Sequence, residues 1–518
     1  MQKKLLHLSV VLASAGSLCA WNPATGPNLL ISGQDVPGQD LPLAVPGPDG
    51  STFVSWLSWE DSNASLKLQL LDKDGAPQLG ESGIYVSQHA TPSWSSGYDI
   101  TSDTSGNVYI AYSDKRNGTW QTYVYKIDSH GAKQWGDGVP VAENNVESCL
   151  NPKLLRTDAG NVVVAYQSLV GARNTIKITK LAADGSKAWG GMIELTGTNG
   201  LYALADAGGD SFYAVYVEGD AGNLTVMRYT ANGEGAWEEP VSVDRGSAIV
   251  SREPMVTADG SGGIVLSWNH AVSTTKVVGA LQAMNRSGEL LWPEPQYYPT
   301  SLSVATSPQG DIYVAYPFSD VNGVNLGVAK YDAAGEYLWD SPVLLDWLSY
   351  SVSIYGVQVV DGGDLAVVYR NASAFNEATI EYSQLDPGGN IVDTQLPVSM
   401  MLGDKGRGGL SYSGGRQLVL AWGDNGMADG RGSIYAQNIV MAEPASLTPT
   451  LAGGKALKAA YSHGTLSVNA DGEASVFDCS GSLMFTCRIV GGTAQTAALA
   501  PGVYILRMNG ETVKFTVL

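Results

Sequence analysis

The residues of this 518-residue chain best equipped for chemistry are aromatic rings standing beside carboxylates, amides or a guanidinium in a few connecting segments. Trp94 and Tyr98 stand in "TPSWSSGYD", Tyr297 and Tyr298 in "QYYP", and Trp347 and Tyr350 in "DWLSYS". Trp59 leads Glu60 and Asp61, Asp114 and Arg116 precede Trp120, and Asp424 opens "DNGMADGRG". An exposed indole or phenol with hydrogen-bonding neighbours suits stacking on a sugar ring, or gripping a peptide. The candidate ligand-binding set is therefore Trp59, Trp94, Tyr98, Asp114, Arg116, Trp120, Tyr297, Tyr298, Trp347 and Asp424. The competing use of any one ring is to cap the edge of a sheet.

Catalysis asks for more. Glycoside hydrolysis needs two carboxylates roughly 5–10 Å apart. Glu60, Asp114, Glu253 and Asp424 are available, but nothing in the sequence sets their separation. No catalytic residue is assigned, and a non-catalytic glycan- or protein-binding module is the first reading, with a glycoside hydrolase or lyase as the alternative. A sialidase would want an arginine cluster, of which only "SREP" (Arg252, Glu253) is a trace; a quinone-dependent dehydrogenase would want a metal and cofactor constellation that is not discernible. The five histidines are scattered, no cysteine–histidine spacing suits zinc, and "DKDG" at 72–75 lacks the twelfth-position Glu of a calcium loop and reads as a turn. No metal or cofactor is expected. A net charge of −20 repels phosphate backbones and makes nucleic acid a poor partner.

Any such site must be positioned by the repeat that dominates the chain. "KIDSHGAKQW" (126–135), "KLAADGSKAW" (180–189), "RYTANGEGAW" (228–237), "AMNRSGELLW" (283–292) and "KYDAAGEYLW" (330–339) share Gly at the sixth place and Trp at the tenth. Leu79 takes the Trp place in an earlier copy, and Val392 or Asp393 in a later one. Upstream of each runs a turn and an alternating strand ending in an aromatic, in eight copies: Trp56, Tyr112, Tyr166, Tyr216, Trp268, Tyr316, Tyr369 and Trp422. Four antiparallel strands per unit of about 50 residues predict an all-β protein, an eight-bladed β-propeller with seven blades as the fallback. A reactive group would not be copied around a ring, whereas a packing wedge must be, so the Gly–Trp decamer reads as scaffold. The eighth unit stops after "SIYAQNIV" (433–440), and Trp21 followed by "NPATGPNLLIS" looks like its missing piece; residues 28–33 are expected to pair with 433–440 and close the ring.

The decamer resembles the tryptophan-docking repeat of quinoprotein-like propellers and, more loosely, the Asp-box of sialidase-type propellers; the resemblance implies fold and no activity. In such propellers the connections from fourth to first and from second to third strands surround one mouth of the channel, which is where the aromatic segments above fall.

The two ends predict an export route. Residues 1–20 have the basic, apolar and small-residue parts of a secretory signal peptide, with cleavage after Ala20; Cys19 lacks the small residue that lipidation expects before it. No other stretch reaches the ~18 apolar residues of a membrane span. After a linker at 441–455, residues 456–518 resemble the type A C-terminal sorting domain of the type IX secretion system of Bacteroidota. The match rests on "SVFDCSGSLM" (475–484) and on Leu499, Pro501, Gly502, Val503, Tyr504, Ile505, Arg507, Lys514 and Phe515. It implies a small immunoglobulin-like β-sandwich, the type IX machinery as partner, and release or attachment at the outer cell surface. Cys479 and Cys487 flank an expected strand–turn–strand and are predicted to form a disulfide, with Cys149 left as a thiol.

Overall fold

The computed structural model describes residues 21–33, 38–92, 97–142, 146–171, 173–219, 222–244, 252–273, 276–320, 323–349, 351–374, 377–424, 432–442, 459–462, 465–478, 483–496, 499, 502–508 and 511–517. The expected signal segment and Ala20 lie outside them. The chain divides into two units, residues 1–441 and 442–518.

Among the described residues of the first unit stand eight four-stranded antiparallel sheets, a propeller-like arrangement. Their first strands are Gln39–Pro46, Tyr98–Ser102, Ser148–Arg156, Thr198–Asp206, Arg252–Ala258, Ser303–Thr306, Ser351–Val359 and Lys405–Tyr412, numbered here as sheets one to eight. In sheets one to seven the next three strands follow in chain order. Each first strand lies against that of the following sheet, and Gln39–Pro46 also lies against Lys405–Tyr412. Second strands such as Val108–Asp114 are buried throughout. They are covered on both faces, which is why they read as near-continuous Val, Ile, Tyr and Trp.

Sheet eight is completed from the other end of the unit. Leu29 and Leu30 pair with Ala436 and Tyr435, and the Ile31 N–H donates to the Ile434 carbonyl at 3.0 Å. Ile31 and Leu29 pack with Trp56, Ala421 and Ile434, joining sheets eight and one in one core.

The decamers pack sheet to sheet. A Cβ on Gly185 would stand 3.1 Å from the Trp135 ring; the corresponding approaches are 3.1 Å for Gly233 on Trp189, 3.0 Å for Gly288 on Trp237, 2.7 Å for Gly335 on Trp292 and 2.8 Å for Gly389 on Trp339. Each tryptophan thus docks on the turn glycine of the next sheet. The indole N–H adds a hydrogen bond to the carbonyl two residues before that glycine, from Trp189 to Ala231 (2.9 Å), Trp292 to Ala333 (3.1 Å) and Trp339 to Pro387 (3.2 Å). Leu79, in the tryptophan place of sheet one, meets Gly131 in the same manner. Trp21 supplies the piece missing from sheet eight: its ring faces Gly75 of sheet one and its indole donates to the Lys73 carbonyl at 2.9 Å. The turns themselves are pinned by their third residue. Asp332 Oδ1 accepts the N–H groups of Ala334 and Glu336, and Asp72 does the same for Asp74 and Ala76, so "DKDG" is a side-chain-capped turn.

The second unit has a three-stranded sheet (Ala459–Ser462, Thr465–Val468, Thr493–Gln495) and a four-stranded one (Leu483–Ile489, Gly472–Asp478, Gly502–Met508, Glu511–Val517). Leu466, Val476, Ile489, Tyr504 and Leu506 form its core, with Leu499 packed against it. Gly502 starts the strand whose Ile505 and Tyr504 pair with Lys514 and Phe515. Cys487, expected in a disulfide, carries a free thiol and pairs with Ala474 across the ladder, while Cys479 lies outside the described residues. Cys149 is free and buried, and burial, aided by Glu147, pushes its thiol up to about 12.

Candidate functional site

The first strands do not run straight. In six of the eight sheets the ladder between first and second strands breaks near the start of the first strand: between Asp40 and Leu43, Leu150 and Lys153, Thr198 and Tyr202, Arg252 and Met255, Ile354 and Gly356, and Lys405 and Gly408. Leu41 (φ 58°) and Asn151 (φ 49°) take left-handed backbone there. Bulges re-aim side chains and leave backbone groups unpaired. At three of the six, a tyrosine of a neighbouring sheet satisfies such a group. Tyr98 Oη stands 2.5 Å from the Leu41 carbonyl and 2.9 Å from that of Ser55. Tyr202 hydrogen-bonds the Asn151 and Ala165 carbonyls in the same geometry, and Tyr355 donates to Gly406 at 3.1 Å.

The bulged ends of sheets one, three, seven and eight, with the start of sheet two, surround a cavity of about 720 Å³. Its lining carries Lys153, Arg370, Lys405 and Arg407 against Asp99 and Asp404, with the rings of Tyr98 and Tyr355 and the apolar Leu41, Leu43 and Ile354. Lys405 is spoken for: its ammonium lies 2.5 Å from Asp424, both groups being buried. Burial lowers the Lys405 pKa while Asp424 opposes. Arg370 is different. Its Nε is buried and has no hydrogen-bond partner. Lys153 and Arg407 are exposed. Burial raises the Asp99 pKa against the pull of Lys153 and of the Leu154 N–H, which donates at 2.8 Å. In a chain of net charge −20, this is a local concentration of cations within one concavity.

Of the described residues selected from sequence, only Tyr98 lines this cavity, and it does so as a buried bulge cap. Asp114 is fully buried and forks onto Arg116 (2.7–3.2 Å), whose guanidinium also reaches Tyr125 and the Asp137 carbonyl and stacks 3.6 Å from the Tyr123 ring centroid. These two residues pin a hairpin and have no spare hydrogen-bonding face for a ligand. Asp424 is consumed by Lys405. Tyr298 is buried, its hydroxyl 2.5 Å from that of Tyr331. Trp59 is half-buried against Gly38, and Trp120 is half-buried with Lys115 over its ring. Tyr297 is 52% exposed, beside the ring of His270. Trp94 and the side chain of Trp347 lie outside the described residues. Of the carboxylates, Glu60 accepts hydrogen bonds from Tyr85 and Ser58, so Glu60, Asp114 and Asp424 sit in three separate contacts. The pair sharing the cavity is Asp99 and Asp404. The sequence signal for this site was "DKGRGG" at 404–409, a basic cluster in an acidic chain at the junction of two repeat units. Among the described residues no group of three or more His, Cys, Asp or Glu side chains is arranged to hold a metal ion.

No family model matches the chain, and no curated protein matches it. Solved structures overlap it loosely. An ulvan lyase bound to a saccharide covers 70% of this chain with 97% of its own, at 12% identity and a TM-score of 0.43. A Dyadobacter fermentans protein of unknown function covers 81% with 99% of its own (11% identity, TM-score 0.37), and a puromycin hydrolase covers 77% with 62% of its own (14%, 0.38).

Proposed function

We propose that the eight sheets are the blades of a closed propeller, and that the cavity at its channel mouth binds an anionic saccharide bearing carboxylate or sulfate groups. The observation that carries this reading is the convergence of Lys153, Arg370 and Arg407 on one cavity in an acidic chain, with the Arg370 Nε buried and unpartnered. An unpartnered buried N–H costs about 1–3 kcal/mol, and an arginine fork is shaped for a planar anion. The apolar walls from Leu41, Leu43 and Ile354 suit the faces of sugar rings. Contact between first and eighth sheets and the docking of Trp21 on sheet one support closure.

Cleavage by elimination is a second reading, favoured by Asp99. A carboxyl whose pKa is raised by burial is suited to hand a proton to a leaving oxygen. Arg370 would neutralise a uronate carboxylate and so acidify the adjacent C–H; its proton would pass to Asp404, the other carboxylate of the cavity, as the C=C bond forms and the C–O bond to the oxygen protonated by Asp99 breaks. The chain's route to the outside is proposed to be type IX export, with the second unit as an immunoglobulin-like sorting tag.

Titration of the first unit with uronate and sulfated oligosaccharides tests the main reading. Binding that weakens steeply with salt, and at least tenfold in Arg370→Ala and Arg407→Ala, supports it; salt-independent binding, or none, overturns it. Ultraviolet absorbance of unsaturated uronate products in the same samples decides whether elimination follows binding.

A further inference from the structure

We infer that a second, chemically distinct site lies where sheet three meets the start of sheet four, and that it takes a neutral saccharide through its hydroxyl groups. A cavity of about 770 Å³ opens there, lined by Glu147, Ser168, Asn174, Lys177, Glu194 and Thr198. A bulge lies beside it: after Thr198 pairs with Glu218, the ladder of sheet four breaks until Tyr202 meets Tyr216, across Gly200 at φ +86°.

The lining is polar and prearranged. Lys177 Nζ lies 2.7 Å from Glu147 and 3.3 Å from Glu194, and Ser168 Oγ donates to Glu147 at 2.5 Å. Glu147 is 5% and Thr198 8% exposed, so these are walls of the fold rather than passing surface groups. Two oxygens in that lining are buried without a hydrogen-bond partner, Asn174 Oδ1 and Thr198 Oγ1. A buried polar atom left unpaired costs about as much as a lost hydrogen bond, and several in one cavity point to a ligand that satisfies them.

The chemistry of that ligand follows from the charges. Two carboxylates around one ammonium leave a negative excess that repels an anion, and the place where a cation would sit is held by Lys177. What remains is a neutral group that donates to Asn174 and Thr198 while accepting from Lys177. Adjacent sugar hydroxyls donate and accept at once at the required spacing, and the volume suits one or two rings. This site makes opposite demands to the cationic cavity, and neither reading depends on the other.

Saturation-transfer NMR and titration with methyl glycosides of glucose, galactose, mannose, xylose and rhamnose test it. At least one is expected to bind with millimolar affinity, unaffected by salt, and to be lost tenfold or more in both Glu194→Gln and Thr198→Val. Glu194 is exposed, so its variant keeps the fold. Thr198→Val removes a buried oxygen without changing shape, and unchanged or raised thermal stability shows that lost binding is not lost folding. Absence of binding by every glycoside, meaning water alone fills the cavity, overturns the inference. So does binding indifferent to both variants, or occupancy by simple amines or peptides in place of sugars.

Discussion

Arg370 and Lys405 are cations beside one cavity, and their surroundings give them opposite uses. Lys405 faces a carboxylate at 2.5 Å and is part of the scaffold; Arg370 has a buried N–H without a partner, which the proposed ligand would meet. The same distinction explains why Asp114, Arg116 and Asp424 looked like site residues in the sequence: polarity is written there and burial is not. Several other buried charges of the first unit come with their opposite. Lys180, all but inaccessible, reaches Asp210 at 2.9 Å, and Asp210 also accepts hydrogen bonds from Thr157 and Asn161. Burial alone would raise the Asp210 pKa, but the bonds from Thr157, Lys180 and Asn161 outweigh it and hold it below the usual carboxylate range. Asp210→Asn leaves a buried ammonium uncompensated and should cost about 3–5 kcal/mol near neutral pH. Because the folded pKa is depressed, the stability Asp210 supplies is complete above the unfolded value of about 3.9 and is lost as pH falls through the folded one. Thermal melts of both proteins should therefore differ most above pH 5 and converge in strong acid; a difference constant with pH would refute this assignment.

At the scale of elements, the decisive unit is the turn glycine facing the tryptophan of the preceding sheet. Two glycines with the same backbone separate its two requirements. Gly335 has φ +83° and a Cβ there would stand 2.7 Å from Trp292, whereas Gly80 also has φ +83° but open space around it. Gly80→Ala should cost only the conformational penalty, about 1–2 kcal/mol. Gly335→Ala adds the displacement of a docked indole and should cost several kcal/mol, approaching the 3–5 kcal/mol of Trp292→Ala. Equal losses in denaturant melts for the two glycine variants would remove docking from the account. These elements were legible in advance, because turn chemistry, strand alternation and the repeat spacing are local and recur: the third strand of sheet eight is found at Ser433–Val440, as its sequence predicts, and Leu79 stands in for a tryptophan as its place in the repeat requires. The cationic cavity was legible only in part: "DKGRGG" is a local basic cluster, but Lys153, Arg370 and Asp99 come from three other sheets and no motif joins them to it.

For the whole molecule, the two ends of the first unit meet: Trp21, Leu29 and Leu30 are spent on sheets one and eight, so a strand edge that would template association is covered from within the same unit. That arrangement, like the acidic charge, would suit the proposed release outside the cell. It also means the second unit is not needed to complete the first, which has its own cores and a division at Met441. A segment with a separate hydrophobic core is suited to act as an address. If residues 456–518 are that address, deleting them leaves a folded first unit in the periplasm of a host with type IX export, still able to bind anionic saccharide, while the full chain reaches the medium or outer surface. Attaching 442–518 to a periplasmic reporter should carry the reporter out as well. Fractionation with immunoblotting reads both results, and export of the truncated chain would end the sorting assignment while leaving the cationic cavity and its ligand untouched.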